Sequence, residues 1–202
     1  MSKVIGILNH GIAGNIHSIE KAIKKAGGDT VIVDRSDQFD CIDKLVIPGV
    51  GSFKDTMQKL KSDELITPLK NNTKPVLGIC LGMQILSTVG FEYGKTEGLG
   101  FIEGEVKPIM VDAKVPHMGF NKIEVIKTND ILDGIENEEF YFMHSYEVKD
   151  SSDATSVSRY AGHEFISSIH KGHVYGVQFH PENSRDAGIR LFNNFINIGV
   201  KQ

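Results

Sequence analysis

The chain has 202 residues, 40% hydrophobic and 24% charged, with two cysteines and a formal net charge of −4. That length supports one well-cored domain, read as residues 1–202, and the mild acidity leaves no basic footprint for nucleic acid. Two cysteines make no disulfide framework, and neither a signal-peptide pattern nor a run of membrane-spanning length is present, so the sequence predicts a cytosolic protein in a reducing compartment with no membrane partner.

Residues 3–9 predict a buried strand, followed by the turn His10-Gly11-Ile12-Ala13-Gly14-Asn15 and a helix to about Ala26, with Asn15 or Ser18 as its cap. Two glycines in that turn fall short of Gly-x-Gly-x-x-Gly, so no nucleotide site is expected there. Strands follow at 30–34, 44–47 and 75–79, with helices at 53–61 and 63–71 between the last two. Cys41, before the third strand, reads as a small core residue. Repeated strand–helix–strand units imply an α/β fold with a mostly parallel sheet, helices on both faces, and an active site at the carboxyl ends of the strands. Beyond residue 100 the strand-like runs 100–109, 120–126, 139–148 and 164–179 predict added antiparallel ribbons, and 185–198 a closing helix.

The fourth strand runs into Gly78-Ile79-Cys80-Leu81-Gly82, which reads as a nucleophile elbow: the strand breaks sharply into a helix and presents the central side chain at the sheet edge. A helix start beside the sulfur favours the thiolate. At the end of the third strand, Pro48-Gly49-Val50-Gly51 is placed to aim a backbone N–H into the same site. The N–H groups of Val50 and Leu81, with Gly49 and Gly51 giving the peptide freedom to rotate, form the candidate oxyanion hole, each donor worth about 3 kcal/mol. A thiolate needs a base and the base needs an orienting group; Gln178-Phe179-His180-Pro181-Glu182 supplies both in His180 and Glu182, presented from an extended segment that the proline keeps out of a regular helix. His10, His17, His163, His170 and His173 read as ordinary surface or core histidines. A metal site from His170, His173 and His180 is not expected, because two of them fall in a hairpin turn.

These motifs, together with Met83-Gln84, Gly14-Asn15-Ile16-His17-Ser18, Gly98-Leu99-Gly100, Lys114-Val115-Pro116-His117-Met118-Gly119 and Tyr141-Phe142-Met143-His144-Ser145-Tyr146, resemble the class I, or triad, glutamine amidotransferases over the full length. Within that family the chain is most similar to glutaminase subunits serving imidazole glycerol phosphate synthase in histidine biosynthesis. The resemblance implies a flavodoxin-like α/β fold and no cofactor or metal. It implies that Cys80 attacks the carboxamide of L-glutamine, His180 shuttles the proton and Glu182 orients His180, while Gln84, His144, Ser145 and Tyr146 hold the substrate. It also implies a heterodimer with a cyclase-like (β/α)₈ barrel, reached through a face carrying Asn15, Met118, Phe120 and Asn183, across which ammonia passes. Two positions depart from the family pattern on that face: Phe120 stands where tryptophan usually follows Met-Gly, and Asn183 where lysine usually follows His-Pro-Glu. A related branch supplying ammonia for bacterial surface sugars is the alternative pathway. A cysteine peptidase or γ-glutamyl hydrolase is the alternative chemistry. A non-enzymatic module would be free to lose Cys80, His180 or Glu182, and all three are present.

Overall fold

Four apolar runs extend as parallel strands: β1 (Val4–Leu8), β2 (Asp29–Val33), β3 (Lys44–Ile47) and β4 (Val76–Ile79). The structure, a computed structural model, describes residues 3–9, 11 and 15–199. The strands lie in the order β2-β1-β3-β4, and Val174–Val177 continues the sheet parallel to β4. His163–Lys171, Ala154–Tyr160 and Glu124–Val125 then add antiparallel strands, giving eight in all.

Strands β3, β4 and Val174–Val177 are buried at every residue, which is why they read as continuous apolar runs rather than alternating ones. On one face α1 (Ile16–Lys25) and α5 (Arg185–Asn197) bring Ile19, Ile23, Leu191, Phe192 and Phe195 against Ile5, Ile7 and Val46. On the other, α2 (Phe53–Ser62) and α3 (Ile66–Asn71) set Phe53, Met57, Leu60 and Leu69 against Leu45, Ile47 and Val76. Ser52 starts α2, its Oγ accepting from the Asp55 N–H at 3.2 Å, and Lys24 and Lys25 end α1 where the helix dipole favours cations. Among the described residues no helix is long and apolar enough to cross a membrane.

Several boundaries differ from the sequence expectation. In the first turn, His10, Ile12, Ala13 and Gly14 lie outside the described residues. Neither Asn15 nor Ser18 caps α1: Asn15 precedes the helix with φ 75° and makes no capping bond, because its carboxamide is used elsewhere, and Ser18 lies inside the helix. Residues 63–65 form a turn, with Glu64 at φ 57°, before α3 begins. Cys41 is exposed at the end of the 3₁₀ turn Ser36–Cys41, whose apolar burial is carried by Phe39 and the following Ile42.

The run 139–148 divides at Ser145. Glu139–His144 pairs with His117–Lys122 as a separate two-stranded ribbon, whereas Tyr146–Lys149 pairs with Glu105–Pro108 in a four-stranded sheet. The run 164–179 is a hairpin turning at Gly172, and its partner strand Ala154–Tyr160 was not foreseen.

Candidate active site

Four segments meet at the carboxyl edge of the parallel strands: Asn15 after β1, Gly49–Gly51 after β3, Cys80 after β4, and His180 after Val174–Val177. Cys80 adopts φ 53° and ψ −109°, a backbone cost of about 1–3 kcal/mol for a residue with a β-carbon, and the chain turns into α4 (Leu81–Ile85). This helix is only five residues long and buried throughout. The loop after β3 lies directly against the elbow. A β-carbon on Gly49 would stand 2.3 Å from the Leu81 nitrogen, and one on Gly82 2.0 Å from the Ile47 carbonyl oxygen. Neither the Val50 nor the Leu81 N–H donates to an acceptor among the described residues, so both are free for a ligand.

His180 and Glu182 are linked by the Nδ1–H donating to Oε1 at 2.8 Å, with the two side chains 2% and 1% exposed. The segment is not extended as expected: Pro181–Asn183 forms a 3₁₀ turn, because proline's fixed φ suits a first helical position and its missing N–H is not needed there. The turn is anchored on both sides. The His180 N–H donates to the Tyr141 carbonyl at 2.8 Å, and the Ser184 hydroxyl donates to the His180 carbonyl at 2.6 Å while accepting from the Tyr141 N–H at 2.9 Å.

Burial alone would push the His180 imidazole down, but the Cys80 sulfur and the Glu182 carboxylate beside it outweigh burial and raise it to about 10. Both neighbours favour the protonated ring. Stabilisation from this charge is fully present below the ordinary value of 6.5 and is lost as pH rises through about 10. Histidine NMR titration is expected to show His180 protonated well above neutrality, and a midpoint near 6.5 would contradict this arrangement.

Asn15 also belongs here, since its Nδ2 donates to the same Glu182 Oε1. Replacing Asn15 by alanine is expected to lower kcat about tenfold through loss of a bond to a charged group, with little change in KM. Steady-state kinetics checks it, and parent-like kcat would exclude the positioning role.

Cys80 and His180 open onto a cavity of about 520 Å³ lined also by Val50, Leu81, Gln84 and residues 144–146, a size suited to a small metabolite. Gln84 spends both amide hydrogens inside the protein, donating to the Tyr146 carbonyl and to Gln178 Oε1, each at 3.0 Å. Only its Oε1 remains for a ligand. The His144 ring is equally committed: Nδ1–H donates to the Tyr146 carbonyl at 2.8 Å, and Nε2 meets His117 Nδ1 at 3.3 Å. Burial pushes His144 down to about 3 and lowers His117 as well, so the pair is neutral. His144 thus fixes the backbone of the segment, while its ring nitrogens are not offered to the cavity.

The glutamine amidotransferase class-I family model matches residues 9–198. The chain belongs to the class-I glutamine amidotransferases. Relatives named imidazole glycerol phosphate synthase subunit HisH include one from Campylobacter jejuni (strain RM1221), named HisH 1, that is 44% identical over 92% of this chain and 96% of its own. Another from Methanothermobacter thermautotrophicus is 37% identical over 96% and 98%. For the fold alone, the solved structure of PurLQS from Thermotoga maritima superposes with a TM-score of 0.75 at 17% identity, covering 98% of this chain and 99% of that one.

Three residues of this amidotransferase site were missed by the sequence analysis. Gln178 donates to the Cys80 sulfur at 3.5 Å, His117 holds His144, and Glu92 is the carboxylate among the described residues lining the cavity, its Oε2 also accepting from the Phe53 N–H at 2.7 Å. Gln178 and His117 stood inside quoted motifs without any spacing that singled them out, and Glu92 gave no signal. His170 and His173 precede Val174–Val177 and His180 follows it, so the three do not meet. His170 instead stacks on Tyr175 at 4.2 Å.

Bordering the amidotransferase cavity through Met143 and His144, the ribbon formed by His117–Lys122 and Glu139–His144 alternates strictly. His117, Phe140, Phe142 and His144 face inward, whereas Met118, Phe120 and Met143 are 55%, 40% and 40% exposed. Phe120 packs edge-on to Tyr141 at 5.6 Å, and the Arg185 guanidinium lies over its ring at 4.4 Å. Asn183, also exposed, is two residues away from Arg185. Of the four predicted interface residues, Met118 and Phe120 share this face, Asn183 is exposed near Arg185 in the chain, and the Asn15 carboxamide bonds Glu182.

Proposed function

We propose that the chain is the glutaminase subunit of an imidazole glycerol phosphate synthase in histidine biosynthesis, hydrolysing L-glutamine and passing ammonia to a (β/α)₈ barrel partner. The observation that carries the chemistry is the buried His180–Glu182 pair beside a strained, cavity-facing Cys80. The names of the relatives support the pathway. The Cys80 thiolate attacks the carboxamide carbon, and the developing oxyanion is received by the Val50 and Leu81 N–H groups. His180 gives its proton to the departing nitrogen, leaving ammonia and a γ-glutamyl thioester. His180, now neutral, takes a proton from water as it attacks the thioester, and collapse returns the thiolate, the imidazolium and glutamate. Glu182 keeps the Nδ1 proton in place throughout. Glu92 and the free Gln84 Oε1 are acceptors suited to the substrate's ammonium group.

The partner docks on the outer face of the ribbon, around Met118, Phe120, Met143 and Asn183. A phenylalanine there covers less area than tryptophan and has no indole donor, and asparagine cannot pair with a partner carboxylate as lysine can. The barrel it docks is accordingly one adapted to these residues. Gly49 and Gly51 let the Val50 peptide rotate, and the partner biases it toward the productive orientation. The isolated chain is expected to hydrolyse glutamine about 10²–10³-fold more slowly than the complex, the effect of one missing oxyanion donor. Equal rates alone and in complex would exclude this activation. The pathway is tested by complementing a histidine auxotroph that lacks its glutaminase subunit, using this chain with its own barrel partner. Growth supports the assignment, and failure to grow overturns it in favour of the surface-sugar branch.

A further inference from the structure

Gln178 is fully buried, and its Nε2 lies 3.5 Å from the Cys80 sulfur. We infer that Gln178 is a further catalytic residue of the glutaminase reaction proposed above, a fixed donor that holds the Cys80 thiolate in its line of attack. Gln178 bonds the Cys80 sulfur and His180, two residues on, lines the same cavity as Cys80, so one stretch of chain brings both groups to the nucleophile. The Gln178 N–H donates to the Ser167 carbonyl at 2.9 Å, tying that stretch to the sheet.

The orientation of the carboxamide is decided by its neighbours rather than by its shape. The Tyr146 carbonyl only accepts, so Gln84 must turn its NH₂ toward it. The second hydrogen of that NH₂ meets Gln178 Oε1, which leaves the Gln178 NH₂ as the group facing sulfur. The reverse orientation would set a carbonyl oxygen against the thiolate and pair two acceptors at Tyr146. The series begins at a backbone carbonyl that cannot reverse, and His144 donates to that same carbonyl. The Met143 carbonyl, 3.7 Å from the sulfur, can accept from a thiol and not stabilise a thiolate.

Cys80 is buried, so its thiolate loses hydration, and the Gln178 side-chain N–H replaces one of the lost donors. When the sulfur attacks, its charge moves to the carbonyl oxygen at Val50 and Leu81. When water cleaves the thioester, sulfur leaves as thiolate, and the same donor receives it.

The test uses the intact chain and Gln178→Met, which keeps the length of the side chain and removes the donor. Alkylation of Cys80 by iodoacetamide at neutral pH, followed by peptide mass spectrometry, is expected to slow about tenfold or more, as for loss of a hydrogen bond to a charged group. With the partner present, kcat for glutamine should fall comparably while KM stays close to the parent value. Adding Gln84→Met to Gln178→Met should slow alkylation no further, since Gln84 acts on sulfur through Gln178. Should Gln178→Met not fold, Gln178→Glu, of the same shape, must also alkylate more slowly than the parent. Alkylation at the parent rate in a folded position-178 variant overturns this inference and leaves the glutaminase reading intact. Absence of glutamine hydrolysis by the parent complex removes both.

Discussion

Cys80→Ala and His180→Ala are each expected to lower kcat for glutamine hydrolysis by about 10⁶-fold, with Glu182→Gln retaining about 10²-fold more activity than either. Without Cys80 no thioester forms. Without His180 there is neither a proton for the departing ammonia nor a base for water. Glu182 only orients the ring and balances its charge, and a glutamine in its place still accepts the Nδ1–H, so part of the geometry survives. Stopped-time glutamate release by the three variants in complex with the partner measures this order. Parent-like turnover in His180→Ala would make another residue the base.

Gly188→Ala is expected to disable the site from α5, where the helix packs on the Pro181–Asn183 turn. A β-carbon there would lie 1.8 Å from the Pro181 carbonyl oxygen and 2.6 Å from its carbonyl carbon, so either the helix or the Pro181–Asn183 turn must move. Both atoms are backbone and cannot rotate away. The overpacking should cost about 1–3 kcal/mol of stability. Because His180 and Glu182 flank Pro181, a displacement of about 1 Å also removes roughly 10²-fold in rate. Thermal denaturation and kcat measured together test it. A variant that melts and turns over like the parent would show that α5 does not position the turn.

The parts of this molecule that were legible in the sequence are those written in consecutive residues. β1, β3 and β4 are buried on both faces and show as apolar runs. The elbow shows because its nucleophile needs flanking glycines, and the base shows because His180, Pro181 and Glu182 are adjacent in the chain. What stayed hidden is decided by distant partners. Asn15 looks like a helix cap, but Glu182, 167 positions away, takes its carboxamide. The alternation of Phe140 and Phe142 continues smoothly past Ser145, and only pairing with His117–Lys122 on one side and Glu105–Pro108 on the other divides the run. Cys41 looks like a core residue because its neighbours are apolar, yet Phe39 and Ile42 occupy the interior. Gln178, Glu92 and His117 take their roles from contacts across 98, 39 and 27 positions, which no local pattern records.

The exposure of Cys41 and the burial of Cys80 sharpen the measurement that tests the central claim most directly. A diazo-ketone analogue of glutamine, incubated with the chain and its partner, should form one adduct on Cys80, and excess glutamine should prevent it. Peptide mass spectrometry locates the adduct. Selective modification of the buried thiol over the exposed one requires recognition of the glutamine moiety, as a γ-glutamyl thioester on Cys80 does. An adduct on Cys41 alone, or on neither cysteine, would contradict the assignment of Cys80 as the nucleophile.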